Sequence, residues 1–148
     1  MDGNEVIPNS VTIRVPATFE GVGDAVMTAR EFLDALPLPE RAAARFELAL
    51  AEAVNNVVEH ARCSQNGSVE ITIASDDETL RLVVSDDGRA ADLDGLNTFM
   101  TLPLAPEAIA GDGHGVRLIH SVMDQAIYSR QLDRNVLTMA AALKTARG

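Results

Sequence analysis

FELALAEAVNNVVEHA, residues 46–61, carries two helical stripes. Phe46, Ala49, Leu50, Ala53, Val54, Val57 and Val58 recur every three or four positions and give an apolar face. Beside it runs a narrower line of Glu52, Asn56 and His60, each four residues from the last and therefore stacked on one side of the helix. A carboxylate and a carboxamide on the margin of a core-facing stripe are costly to bury without a partner. Glu52 can serve as a base, and the Asn56 carbonyl can ligate a hard cation. The plainer alternative is a solvated helix margin.

Working outward, Leu36-Pro37-Leu38-Pro39 is a rigid break, so this helix should open at Pro39 or Glu40 and run to about Arg62. Residues 19–36 have helical spacing of their own, although Gly21 and Gly23 weaken the first turn. Residues 10–15, 68–74 and 79–85 alternate and are rich in β-branched residues, as strands are. An acidic turn at 76–78 makes the last two a hairpin, and residues 126–129 and 136–143 read as a closing strand pair. Some two dozen residues of low regularity separate Asp86-Asp87-Gly88 from Gly111, and pieces of them, such as Leu93–Met100, can form short helical turns. A loop of that length is usually functional. The order predicts an α+β two-layer sandwich, with a mixed, mostly antiparallel sheet covered on one face by helices.

Composition narrows the function. The chain has 148 residues, 47% of them hydrophobic, enough for one domain with a core. No apolar run approaches the roughly 20 residues of a membrane helix, and the N-terminus lacks the basic segment of a signal peptide. Cys63 is the sole cysteine, which excludes an internal disulfide and a cysteine-rich zinc site. Twelve basic residues against 22 acidic ones, a net charge of −10, argue against direct nucleic-acid binding. A cytoplasmic protein is the expectation.

Two further stretches can carry chemistry. Gly113-His114-Gly115 enters a helix with the spacing Val116, Ile119, Val122, Met123, so its N–H groups can face a phosphate; a simple tight turn is the alternative. It is neither a Walker A loop, since no Lys-Ser/Thr follows, nor a dinucleotide fingerprint, since Val116 stands where the third glycine would be. Asp86-Asp87-Gly88 ends a strand and can offer a carboxylate to an exocyclic amine, or merely close the strand with an acidic turn.

In this order, the three stretches match the GHKL ATP-binding fold, and within it the chain resembles the bacterial anti-sigma-factor serine kinases. AEAVNNVVEHA looks like the family's first box, DDG like its second and GHGVRLIHSVMD like its third. The resemblance covers residues 10–143. It implies that Glu52 is the general base and that Asn56 holds the magnesium bridging the ATP phosphates. It also implies that Asp86 accepts the adenine amine, that Gly88 lets the base lie against the backbone, and that Gly113, His114, Gly115 and Val116 wrap the phosphates. Residues 89–112 would be the ATP lid and 1–148 a single domain. His60 would pack or orient, and His120 would be only surface or core. The chain departs from the family pattern at Ala90, where a second glycine is usual, and at Gly111-Asp112, where many relatives have a basic residue. It departs again at Asp133-Arg134-Asn135, where the last strand pair usually turns through glycine.

The resemblance implies an anti-sigma factor and serine protein kinase that uses Mg-ATP to phosphorylate a STAS-type anti-anti-sigma protein, as a homodimer with residues 10–36 as a candidate surface. A nucleotide-binding partner-switch module with little or no turnover is the alternative. A detached histidine-kinase catalytic domain is a third, disfavoured by the short lid and the lack of a phosphoacceptor helix.

Overall fold

A computed structural model describes residues 9–59, 67–76, 78–89, 93–100, 119 and 121–142. The elements run β1 (Asn9–Pro16), α1 (Phe19–Asp34), α2 (Glu40–Glu59), β2 (Ser68–Ser75), β3 (Thr79–Asp86), α3 (Leu93–Met100), β4 (Gln125–Gln131) and β5 (Arg134–Ala142). The strands form one sheet in the order β1-β2-β3-β5-β4, and every neighbouring pair is antiparallel. The two-layer α+β arrangement is as expected, except that the sheet has no parallel pair among the described strands.

Register explains which face is buried. Ile13, Ile71, Val84, Leu137 and Tyr128 lie side by side across all five strands, and each is buried. Because strand side chains alternate, the residues two positions along share that face. They include Val69, Ile73, Leu82 and Met139, all fully buried. The opposite face carries Thr12, Thr72, the Arg14–Glu70 ion pair at 2.8 Å and exposed Ile127.

α2 buries Ala42, Phe46, Ala49, Leu50, Ala53, Val54 and Val57, as its apolar stripe predicts. α1 contributes Val22, Ala25, Ala29 and Leu33. Arg30 of α1 joins the two helices, donating to Glu47 at 2.6 Å and to Glu40, as well as to Asp34 in its own helix at 2.9 Å. These carboxylates, Glu40 foremost, hold the guanidinium proton still more firmly than usual.

The first turn of α1 corrects the sequence reading. Thr18 caps it by accepting from the Gly21 N–H at 3.0 Å. A Cβ on residue 21 would lie 2.0 Å from the Pro16 carbonyl oxygen, so glycine here permits a close approach and does not loosen the helix. In the long irregular stretch, Leu93–Met100 forms a helix where the sequence suggests short helical turns. Leu93 and Leu96 pack against the core. Of the helix expected after the glycine stretch, Ile119 and residues 121–122 are helical, with Ile119 and Met123 buried.

Candidate functional site

Asp86 is the last residue of β3, and the two-residue alternation turns it to the helix-covered face. It stands in a second row across the sheet, Val15–Val69–Asp86–Asn135–Arg130, next to the apolar row through Val84. It is only 2% exposed. Its Oδ1 accepts from the Gly88 N–H at 3.0 Å and from Asn135 Nδ2 at 2.9 Å. Asn135, also 2% exposed, donates as well to the Arg89 carbonyl at 2.8 Å. Arg130 Nη1 then donates to Asn135 Oδ1 at 3.1 Å and to the Gly88 carbonyl at 3.0 Å. A buried carboxylate needs hydrogen-bond donors, and this network gives Oδ1 two of them while fixing the backbone of residues 88–89.

On the other side stands α2. Asn56 is 7% exposed, and its Nδ2 donates to Tyr128 Oη at 3.0 Å. Glu52, one turn earlier on the same helix, is half-buried. Between α2 and the sheet lies a depression walled by Ala53 and Val57 of α2, Val84 and Asp86 of β3, Tyr128 of β4, and Asn135 and Leu137 of β5. The gap is narrow and closed, and it marks where α2 meets the buried carboxylate and amide at the sheet end.

The structure thus brings Asp86 and Gly88 together at the sheet end, and Tyr128 links that depression to Asn56. Glu52 shares α2 with Asn56 but does not line the depression. Gly113, His114, Gly115 and Val116 lie outside the described residues, as do His60, Ala90, Gly111, Asp112 and His120.

Four residues here were not singled out from the sequence. Asn135 was assigned to the closing turn. That turn is instead Leu132-Asp133, between the paired residues Gln131 and Arg134, with Leu132 at φ 56° in place of a glycine. Asn135 is therefore a strand residue facing Asp86. Arg130 and Tyr128 owe their roles to cross-strand register, and Asn97 of α3 enters by hydrogen-bonding the Tyr128 backbone; the only sequence signal was that Tyr128 is the sole tyrosine.

Among the described residues no group of three His, Cys, Asp or Glu side chains can hold a metal ion. Magnesium in nucleotide sites characteristically takes one or two protein oxygens and relies on phosphates and water for the rest. Asn56, with its nitrogen engaged by Tyr128, has its hard carbonyl oxygen for that role.

Comparison with known proteins agrees with this fold. The family model of the histidine kinase-like ATPase domain matches residues 15–141. No curated protein matches the chain. Among solved structures, the RsbU and RsbW domains of Rv1364c from Mycobacterium tuberculosis align over 91% of this chain at 18% identity and a TM-score of 0.64. The match spans only 32% of that longer chain. The SiaB–SiaC complex from Pseudomonas aeruginosa aligns over 89% of both chains at 14% identity and a TM-score of 0.67. The catalytic domain of histidine kinase ThkA aligns over 90% of this chain and 97% of its own at 10% identity and a TM-score of 0.58. At these identities the likeness is one of fold.

Proposed function

Because the chain belongs to the histidine kinase-like ATPase domain family, we propose that it binds Mg-ATP beside Asp86 and acts as an anti-sigma factor and serine protein kinase. Its substrate is an anti-anti-sigma protein of the STAS type, and its second partner is the sigma factor it sequesters. One observation supports the nucleotide part of this reading: the Asp86 carboxylate is buried at the end of β3, held by Gly88 and Asn135, opposite Ala53 and Val57 of α2. The three sequence boxes support the kinase part.

In this mechanism Asp86 accepts the adenine amine, and Ala53, Val57, Val84 and Leu137 contact the base. Gly88 lets the base approach the backbone, and residues 113–116 supply N–H groups to the phosphates. Asn56 would hold magnesium, which would supply charge neutralisation at the phosphates. Glu52 takes the proton of the substrate serine as its oxygen bonds to the γ-phosphorus and ADP departs. The remaining work is positioning, with residues 89–112 as the lid over the nucleotide.

A cytoplasmic homodimer completes the proposal. No described helix is long and apolar enough to cross a membrane. Exposed Phe19 and Met27 on α1, beside edge strand β1, favour residues 10–36 as the dimer surface.

Incubation with labelled ATP, magnesium and the STAS proteins of the same genome tests the proposal. Label on a single serine of one STAS protein is the expected result. Tight nucleotide binding without transfer would favour the partner-switch module, and absence of nucleotide binding would overturn both.

A further inference from the structure

We propose that Tyr128 positions Asn56 for the cation and that helix α3 holds Tyr128 in place through Asn97. The inference rests on the reading of Asn56 as the magnesium ligand and adds two residues to it.

Tyr128 sits on β4, one of the two edge strands of the sheet. Its register with Leu137 and Val84 turns the ring inward, where it is 4% exposed. The phenol oxygen accepts from Asn56 Nδ2 at 3.0 Å. A carboxamide carries its donor and its acceptor on diverging bonds, so fixing the nitrogen fixes the direction of the oxygen. Magnesium demands near-ideal octahedral geometry, which makes that direction matter more than for a looser cation.

The backbone of Tyr128 is held just as specifically. Asn97 Oδ1 accepts from the Tyr128 N–H at 2.8 Å, and Asn97 Nδ2 donates to the Tyr128 carbonyl at 3.1 Å. One side-chain amide thereby fills both hydrogen-bonding positions that an edge strand leaves open. Asn97 belongs to α3, which lies in the stretch assigned to the lid. The chain α3–Asn97–Tyr128–Asn56 consequently links the position of that helix to the cation ligand by four side-chain hydrogen-bonding functions, none requiring contact between the lid and the nucleotide.

Tyr128→Phe removes one oxygen and keeps the ring. The readout is the ratio of ATP affinity with saturating magnesium to affinity in chelator, measured by calorimetry. That ratio should fall about 5- to 10-fold, as for one well-placed hydrogen bond. Asn97→Ala should lower it in the same direction. A ratio unchanged in Tyr128→Phe, or a fall of both affinities that preserves the ratio, would overturn the positioning role and indicate packing alone. An unchanged ratio in Asn97→Ala would overturn the part played by α3. A wild-type affinity indifferent to magnesium would instead overturn the cation reading beneath both.

Discussion

Asn135 donates to Asp86 across the β5–β3 pair: the amide nitrogen lies 2.9 Å from Oδ1, and the two residues are register partners. The Asp86 carboxylate, proposed to accept the adenine amine, is consequently aimed by a neighbouring strand as well as by its own turn.

Asn135→Ala should weaken ATP binding and destabilise the fold together. It leaves a buried acceptor short of one donor and takes from Arg130 one of its two acceptors, at a cost of about 1–3 kcal/mol in stability. Urea unfolding and calorimetry on the same preparation check both effects.

Asp86→Asn should remain folded, since its side-chain oxygen can still accept from Gly88 and Asn135. It should lose much of its preference for ATP over GTP, which presents a carbonyl where adenine has an amine. A charge-assisted hydrogen bond is worth about 1.5–3 kcal/mol. Competition binding with the two nucleotides reads the change, and an unaltered preference would remove Asp86 from base recognition.

Gly21→Ala and Gly23→Ala should differ in sign. A methyl at 21 meets the Pro16 carbonyl, whereas nothing lies within 4 Å of one at 23. The first should destabilise by about 1–3 kcal/mol, as overpacking does. The second should stabilise by up to about 1 kcal/mol through helix propensity. Thermal melts of the two variants suffice.

Asp76 gives a pH signature. Its Oδ1 accepts from the Glu78 N–H at 2.8 Å and the Thr79 N–H at 2.7 Å, and the Glu78 bond foremost holds the carboxyl below its ordinary range. A depressed native pKa stabilises the fold above the unfolded value of about 3.9, and the gain is lost as pH falls through the lower native value. Asp76→Ala should therefore be less stable than wild type near neutrality, with the gap narrowing in acid. Denaturant unfolding across that range checks the trend.

The helices and the three leading strands were legible because each has a clean period, 3.6 or 2, over eight residues or more. Asp86 and Gly88 stood out for the same reason, at the end of an alternating run. Asn135 did not, because Asp133-Arg134-Asn135 has the composition of a turn, and only register shows the asparagine to be facing Asp86. Gly21 looked like a defect because the Pro16 carbonyl that demands it belongs to another element. α3 is short, and what supports it, Leu93 and Leu96 on the core and Asn97 on β4, is tertiary.

The central claim is phosphoryl transfer with Glu52 as base, and Glu52→Gln tests it most directly. Side-chain size is nearly conserved while basicity is lost. ATP affinity and label transfer to the STAS substrate should be measured on the same samples of wild type and variant. The account predicts retained affinity and transfer reduced by about 10²- to 10⁴-fold. Transfer at a comparable rate in Glu52→Gln would contradict it.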